Sequence, residues 1–147
     1  MVSLIAGAAI YWLQVYGYYR DVAATDAAAQ IRLVSVATGE PEEIVTDNFQ
    51  GIDADSSPLR FRACFETPTS LATLTETYEL AEDPVPLTGP GWFSCYDAET
   101  IGEALESGEA LAFVSERAIH PGVDRIVAIF PDGRGYAWHQ LEPELAE

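Results

Sequence analysis

The first nineteen residues carry no charged side chain and are mostly apolar or aromatic. As an α-helix rising about 1.5 Å per residue, the run from Val2 to Tyr19 would measure roughly 27 Å, close to the ~30 Å hydrocarbon core of a bilayer. Tyrosines at its end, directly before Arg20, match the aromatic belt of a membrane interface. The pattern predicts a single-pass transmembrane anchor at residues 1–19, with a buried core helix and a cleaved signal peptide as alternatives.

The segment after the predicted anchor is rich in alanine, and residues 20–30 are expected to form a juxtamembrane helix or stalk. No internal repeat divides the rest of the chain. We therefore predict one domain over residues 31–141 and a frayed tail over residues 142–147.

Apolar and polar residues alternate most cleanly between positions 59 and 65, as they do in a β-strand. The odd-numbered residues of this stretch are apolar and share one face, whereas Arg60, Arg62 and Cys64 share the other. Further strands are predicted at residues 31–37, 42–49 and 110–114, and a β-hairpin is predicted from residues 123–130 and 135–141 around a turn at 131–134.

Helical signals are strongest after a proline- and glycine-rich loop at residues 83–91. Asp97 can cap a helix at residues 98–106, and Gly108 can end it. Residues 69–80 are ambiguous, because their threonines favour a strand while their leucines fit a helical stripe. These elements predict an α+β fold: an N-terminal transmembrane helix followed by a small, mainly antiparallel sheet domain with one or two helices.

The charge of the chain is one-sided, with 24 acidic residues, 7 arginines, no lysine and a formal net charge of −17. This excludes a nucleic-acid binder, which needs a cationic surface, and a P-loop hydrolase or Schiff-base enzyme, which needs a lysine. A hydrophobic content of 48% is sufficient for a folded core. Because the acidic residues all follow residue 19, we expect the N-terminus inside and the domain on the periplasmic side of a bacterial inner membrane.

Three stretches are distinctive as strings, namely GIDADSSPLRFRACF, PLTGPGWFSCYDA and GVDRIVAIFPDGRGYAWHQ. They resemble a family of small, singly anchored alphaproteobacterial membrane proteins of unknown function. The resemblance covers the chain from the anchor to Gln140 and implies one compact domain on one anchor. Members of that family carry a longer, cysteine-containing C-terminal tail, whereas this chain ends in LEPELAE.

Cys64 and Cys95 are the two cysteines of the chain, and in an oxidising periplasm they are expected to form a disulfide. Their wide separation differs from the C-x-x-C spacing of thioredoxin-like redox sites. A Cys2His2 metal site with His120 and His139 is the alternative, but it lacks a recognised ligand spacing, so no metal is predicted.

The arginines are candidates for anion binding, because guanidinium groups pair bidentately with carboxylates and phosphates. Arg60 and Arg62 share a strand face, while Arg125 and Arg134 lie in or beside the predicted hairpin. They form either a pocket for an anionic ligand, with a tryptophan in its wall, or internal ion pairs with carboxylates of this chain.

Two other patterns resemble functional motifs only in part. Asp53-x-Asp55-x-Ser57 opens like a calcium loop, but proline and cysteine occupy the positions that require glycine and glutamate. A hydrolase triad could combine Ser57 with His139 and Asp124, yet no nucleophile elbow surrounds the serine. We therefore predict no catalytic residue and no cofactor.

The remaining candidates are contact residues. Ser3 and Gly7 form a small-residue pair in the predicted anchor, and Gln14 could hydrogen-bond to a neighbouring helix. Trp92 and Phe93 follow the proline-rich loop and could anchor a protein interface. These features favour a membrane-anchored, non-enzymatic accessory or assembly protein of a bacterial envelope complex with a membrane-protein partner. A periplasmic module that binds or senses an anionic ligand is the alternative, and a hydrolase is a third hypothesis.

Overall fold

The structure, a computed structural model, describes residues 20–22, 29–54 and 58–142. Its strands in chain order are β1 (Arg20–Val22), β2 (Arg32–Val34), β3 (Pro41–Glu43), β4 (Asp47–Asp53), β5 (Arg62–Glu66), β6 (Leu111–His120), β7 (Val123–Ile129) and β8 (Arg134–Leu141). The helices are α1 (Leu71–Thr77) and α2 (Ala98–Ser107). A six-stranded antiparallel sheet has the spatial order β1–β4–β5–β8–β7–β6, and a second sheet pairs β2 with β3.

Both faces of the six-stranded sheet are covered, which explains why β7 is buried along its whole length. On one face, here called the β2 face, Val127 shares an apolar cluster with Leu33 of β2 and Leu74 of α1. On the opposite face, called the α2 face, Trp138 shares a second cluster with Ile101 of α2. Many antiparallel sheets have one face in water, but here apolar side chains lie on both faces because each face is covered.

Helix α2 confirms the helix predicted from its capping residues. The Asp97 carboxylate accepts the backbone N–H groups of Glu99 and Thr100, and Gly108 ends the helix at a φ of 81°. Glycine is favoured there because a left-handed backbone conformation costs it little. The buried side chains Ile101 and Ala104 direct one side of the helix toward the sheet.

The ambiguous stretch before the proline-rich loop contains the short helix α1. Its first turn is capped by the Ser70 hydroxyl, which accepts the N–H of Thr73, and Leu74 is completely buried beneath it. The chain then becomes extended, and Tyr78 forms a bridge with Ser35. The stretch at residues 69–80 therefore contains both structures that its sequence suggested: a helix around Leu74 and an extended segment from Tyr78.

The predicted fold class is corrected in its first element. No helix in the described part of the chain is long and apolar enough to cross a membrane. The two described helices have 7 and 10 residues, so at about 1.5 Å per residue neither approaches the ~30 Å required. The anchor predicted at residues 1–19 lies outside the described residues, and the fold class is stated without it: an α+β domain, mainly antiparallel sheet, with two helices.

The start of the predicted juxtamembrane helix also differs. Arg20–Val22 forms β1, which pairs with Gly51–Asp53 at the edge of the sheet. The alanines that favoured a helix at residues 23–28 lie outside the described residues, as does the predicted frayed tail from residue 143 onward. A three-residue strand has too little periodicity of its own to be recognised from sequence.

Candidate functional site

The Cys64–Cys95 disulfide confirms the predicted cysteine pair and attaches a long loop to the α2 face. Cys64 lies in β5, and Cys95 lies two residues before the N-cap of α2, with 6.3 Å between the two Cα atoms. Phe93 and Tyr96, on either side of Cys95, are buried against the sheet. The disulfide thus holds in place a loop whose prolines and glycines form no regular element.

Arg62 stabilises the same loop from within. Arg62 is 5% exposed, and all three nitrogens of its guanidinium group donate hydrogen bonds to backbone carbonyl oxygens. One terminal nitrogen lies 2.6 Å from the oxygens of Leu59 and Phe61, while Nε and the other terminal nitrogen lie 3.1 Å from those of Leu87 and Thr88. Backbone carbonyls therefore occupy the donors that an anionic ligand would require.

The four candidate arginines do not form one pocket. Arg62 pairs in register with Trp138, and Arg125 pairs with His139. Because consecutive residues of β8 point to opposite faces, Arg62 lies on the α2 face and Arg125 on the β2 face. Arg134 is exposed in the β7–β8 turn, where its Nε lies 2.7 Å from the Asp132 carboxylate, and Arg60 is half-buried.

Arg125 and His139 form a buried polar pair on the β2 face. The Arg125 Nε donates to His139 Nε2 over 3.0 Å, and its guanidinium lies 4.0 Å from the centre of the Phe61 ring. Burial lowers the pKa of Arg125 to about 10, and the carboxylates of Glu116 and Asp53 partly offset that effect. Arg125 therefore remains a cation at neutral pH, held in part by an aromatic ring.

Both ring nitrogens of His139 are engaged, and their partners define its tautomer. Arg125 Nε can only donate, so Nε2 is the acceptor; the Pro58 carbonyl, 2.7 Å from Nδ1, can only accept, so Nδ1 carries the proton. Burial, followed by the positive charge of Arg125, lowers the pKa of His139 to about 3. The imidazole is therefore neutral over the physiological pH range.

We expect His139 to make folding sensitive to acid. Between its ordinary pKa of 6.5 and its folded pKa of about 3, the unfolded chain binds a proton that the folded protein excludes. The free energy of unfolding should therefore decrease with falling pH by up to about 1.4 kcal/mol per pH unit. Urea unfolding between about pH 7 and about pH 5 measures this slope.

The variant His139→Gln is expected to remove that contribution to the slope. His120→Gln is the matched control, since His120 is exposed and its ring lies 5.7 Å from that of His139. Equal slopes in the wild type and His139→Gln would contradict the neutral, buried state assigned to His139.

The hydrolase triad considered as a third hypothesis is not assembled by the described residues. Asp124 pairs in register with Gln140, the neighbour of His139, and therefore lies on the opposite face of the sheet. Its carboxylate accepts the N–H of Ala118 instead. Ser57 lies outside the described residues, as does Asp55 of the calcium-like stretch, and the described residues contain no group of three or more potential metal ligands.

The predicted contact residues have different environments. Phe93 is buried in the cluster of the α2 face, and Trp92 packs partly buried against the same cluster, with 6.4 Å between the two ring centres. Phe93 thus belongs to the core rather than to an exposed interface. Ser3, Gly7 and Gln14 lie outside the described residues.

Residues 79–85, here called the strap, cross from the small sheet to the edge of the large one. Their backbone is fixed at several points: Val114 N–H donates to the Glu79 carbonyl, and Ala81 N–H donates to the Ala112 carbonyl. Leu80 also forms a bridge with Phe113. Extended residues next to the outer strand β6 thereby continue the sheet by one short pairing, which these two hydrogen bonds flank.

The Gln140 side chain holds the other end of the strap. Its Oε1 accepts the N–H of Val85 over 2.8 Å and the indole N–H of Trp138 over 2.9 Å, and its Nε2 donates to the Asp83 carbonyl. Gln140 is 5% exposed, so a buried amide positions a surface segment through two of its three hydrogen bonds. Alternation along β8 places Trp138 and Gln140 on one face, but no sequence pattern indicates the segment that they hold.

The family to which the chain belongs follows from a comparison with known families. The model of DUF6446, a family of unknown function, matches residues 31–146. The chain belongs to this family. No curated protein and no solved structure matches the chain.

The DUF6446 match confirms the resemblance to a family of unknown function that three motifs indicated. The matched region includes every element from β2 to β8, both cysteines, Arg62 and the strap. The alphaproteobacterial origin implied by the resemblance remains a prediction.

Proposed function

We propose that this DUF6446 protein is a non-enzymatic accessory or assembly protein of a bacterial envelope complex, and that its domain acts in the periplasm by binding another protein. The proposed compartment is supported by the Cys64–Cys95 disulfide, because structural disulfides persist in oxidising compartments. The high acidity of the chain suits a soluble, exported domain.

The observation that carries the proposal is the combination of a fixed backbone and exposed apolar side chains in the strap. Leu80 is 52% exposed and Val85 is 53% exposed, although the backbone N–H of Val85 is bound by Gln140. A surface segment ordered in advance loses little conformational entropy on binding. Exposed leucine and valine side chains on such a segment can therefore contribute their burial energy to an interface.

The buried polar groups also favour binding over catalysis. Arg62 is bonded to four carbonyl oxygens, both nitrogens of His139 have partners, and the Gln140 amide makes three hydrogen bonds. These side chains stabilise loops and strands of the fold. A catalytic acid, base or nucleophile instead needs access to a substrate.

Site-directed photo-crosslinking in the native host tests the proposal. A photoreactive phenylalanine analogue is placed at Leu80 or Val85 of the full chain, with the same substitution at exposed Glu103 on α2 as the control. We expect a discrete covalent adduct with another protein from positions 80 and 85, and none from position 103. Recovery of only the uncrosslinked chain from the two strap positions would contradict the proposal.

A further inference from the structure

The strap ends in a short surface segment, Pro84, Val85 and Pro86, here called the proline ridge. None of the described residues from 84 to 90 belongs to a helix or a strand. A proline ring fixes φ at about −65°, and a residue that precedes proline is held in an extended conformation. The order Pro-Val-Pro therefore favours a polyproline II backbone, which has three residues per turn.

The beginning of the proline ridge is held by the Gln140 side chain. Its Nε2 donates to the Asp83 carbonyl over 3.2 Å, and its Oε1 accepts the Val85 N–H over 2.8 Å, so the amide bridges the backbone on both sides of Pro84. Asp83 has a φ of 49°, a conformation that is uncommon for a residue other than glycine and persists where neighbouring contacts hold it. The direction in which the chain enters the ridge is therefore fixed.

The other end of the proline ridge is held by Leu87. Its carbonyl accepts from Arg62 Nε over 3.1 Å and from the Tyr96 hydroxyl over 2.7 Å, and its side chain packs against the cluster of the α2 face. With three residues per turn, the edge that contains Leu87 faces the domain, and Val85 lies on another edge. In agreement with this, Val85 is 53% exposed. The ridge therefore presents an apolar surface on a backbone that is held at both ends.

The proline ridge offers acceptors to a partner but no backbone donor. Pro84 and Pro86 have no N–H, and the N–H of Val85 is bound by Gln140. No group in the described part of the chain donates to the carbonyl oxygens of these three ridge residues. A β-strand of another protein cannot pair with the ridge, because a ladder requires N–H donors as well as carbonyl acceptors. Recognition must therefore use side-chain donors and apolar contacts.

We propose that the proline ridge docks into a shallow groove of the partner protein that is lined by tryptophan and tyrosine side chains. Aromatic rings pack on Val85 and Pro86, while indole N–H and phenol O–H groups donate to the ridge carbonyl oxygens. This inference rests on the proposed function and specifies the chemistry of the partner. Because the ridge is ordered before binding, little conformational entropy is lost when it docks.

Charge complementarity specifies one end of the partner's groove. Glu82 and Asp83 directly precede the ridge, both are exposed, and neither is paired with a cation of the described residues. Glu82 and Asp124 also line a groove of about 250 Å³ beside the strap, which adds to the negative charge there. We therefore expect lysine or arginine at the rim of the partner's groove next to Glu82, whereas a second copy of this chain, with its net charge of −17, is repelled.

Photo-crosslinking from a site beside the ridge tests this inference. A photoreactive phenylalanine analogue is placed at exposed Thr88 of the full chain in the native host, and we expect an adduct whose partner peptide contains tryptophan or tyrosine. The variant Pro84→Ala with Pro86→Ala should reduce the adduct yield about tenfold, because the ridge loses both rings and its fixed backbone. Val85→Ser, which changes one exposed side chain and keeps both prolines, should also reduce the yield.

Pro41→Ala with Pro131→Ala is the matched control, since it removes two exposed prolines outside the ridge, and its adduct yield should equal that of the wild type. Wild-type yields from both ridge variants, a partner peptide without an aromatic residue, or an adduct with the mass of two copies of this chain would each overturn the inference. If the analogue at position 80 crosslinks to another protein equally well with and without the two ridge prolines, the inference fails and the proposed function stands. The absence of any adduct from positions 80, 85 and 88 would overturn both.

Discussion

Removal of the Cys64–Cys95 disulfide is expected to lower the free energy of unfolding by about 4 kcal/mol. The two cysteines are separated by 31 positions, so the crosslink removes a large closed loop from the freedom of the unfolded chain. In the folded protein it also holds the loop that carries Phe93 and Tyr96 onto the α2 face. Urea unfolding with and without a reductant measures the loss.

The variant Cys64→Ala with Cys95→Ala provides the control for the reductant. Its stability should match that of the reduced wild type and should not respond to further reductant. A reduced protein as stable as the oxidised one would show that the loop is held by its other contacts, among them those of Arg62.

Replacing Arg62 by methionine is expected to lower the free energy of unfolding by about 3 kcal/mol, because several buried carbonyl oxygens lose their donor together. Arg62 is the residue that joins Leu87 and Thr88 of the long loop to the backbone around Phe61. The variant should also expose the loop, and hydrogen exchange at residues 87–97 should become faster than in the wild type.

Arg134→Met is the matched control for the Arg62 variant. Arg134 is exposed and pairs with Asp132 across 2.7 Å, and a surface ion pair of this kind contributes less than about 1 kcal/mol. If both variants were destabilised equally, the loss would reflect the removal of a positive charge from an acidic chain and not the four carbonyl contacts of Arg62.

Helix α2 and the β7–β8 hairpin were predicted correctly because each is specified by residues that are adjacent in the sequence. Asp97 and Gly108 marked the two ends of α2, because a cap satisfies backbone groups within one turn of the chain. The turn before Arg134 marked the β7–β8 hairpin, in which Val127 is paired with Ala137. These interactions are short-range, so a single sequence contains most of the information that they require.

The roles of the arginines depended on contacts between distant parts of the chain. Arg62 and Arg125 were both recognised as candidate anion ligands, yet the strand register places them on opposite faces of the sheet. The sequence favoured this chain's own carboxylates as their partners. The structure shows backbone carbonyls around Arg62 and, beside Arg125, a neutral imidazole together with the charges of Glu116 and Asp53.

Two features of the candidate interface were missed for the same reason. Glu82 and Asp124 are 42 positions apart and line the same groove only because the strap packs beside β6. Gln140 carries no motif, and its importance comes from three partners, two of which lie on the strap and one on its own strand. Sequence alternation assigned Gln140 to a face, but only the packing of the strap against that face supplied its partners.

By itself the sequence determined the acidity of the domain, the capped helix α2, the hairpin of β7 and β8, and the pairing of its two cysteines as the simplest expectation. The tertiary structure alone decided that β1 joins the sheet, that the four candidate arginines are dispersed, and that the strap forms a groove over Asp124. The division has a physical cause. Caps, turns and alternation depend on a few adjacent residues, whereas sheet register and loop attachment depend on which distant surfaces exclude water together.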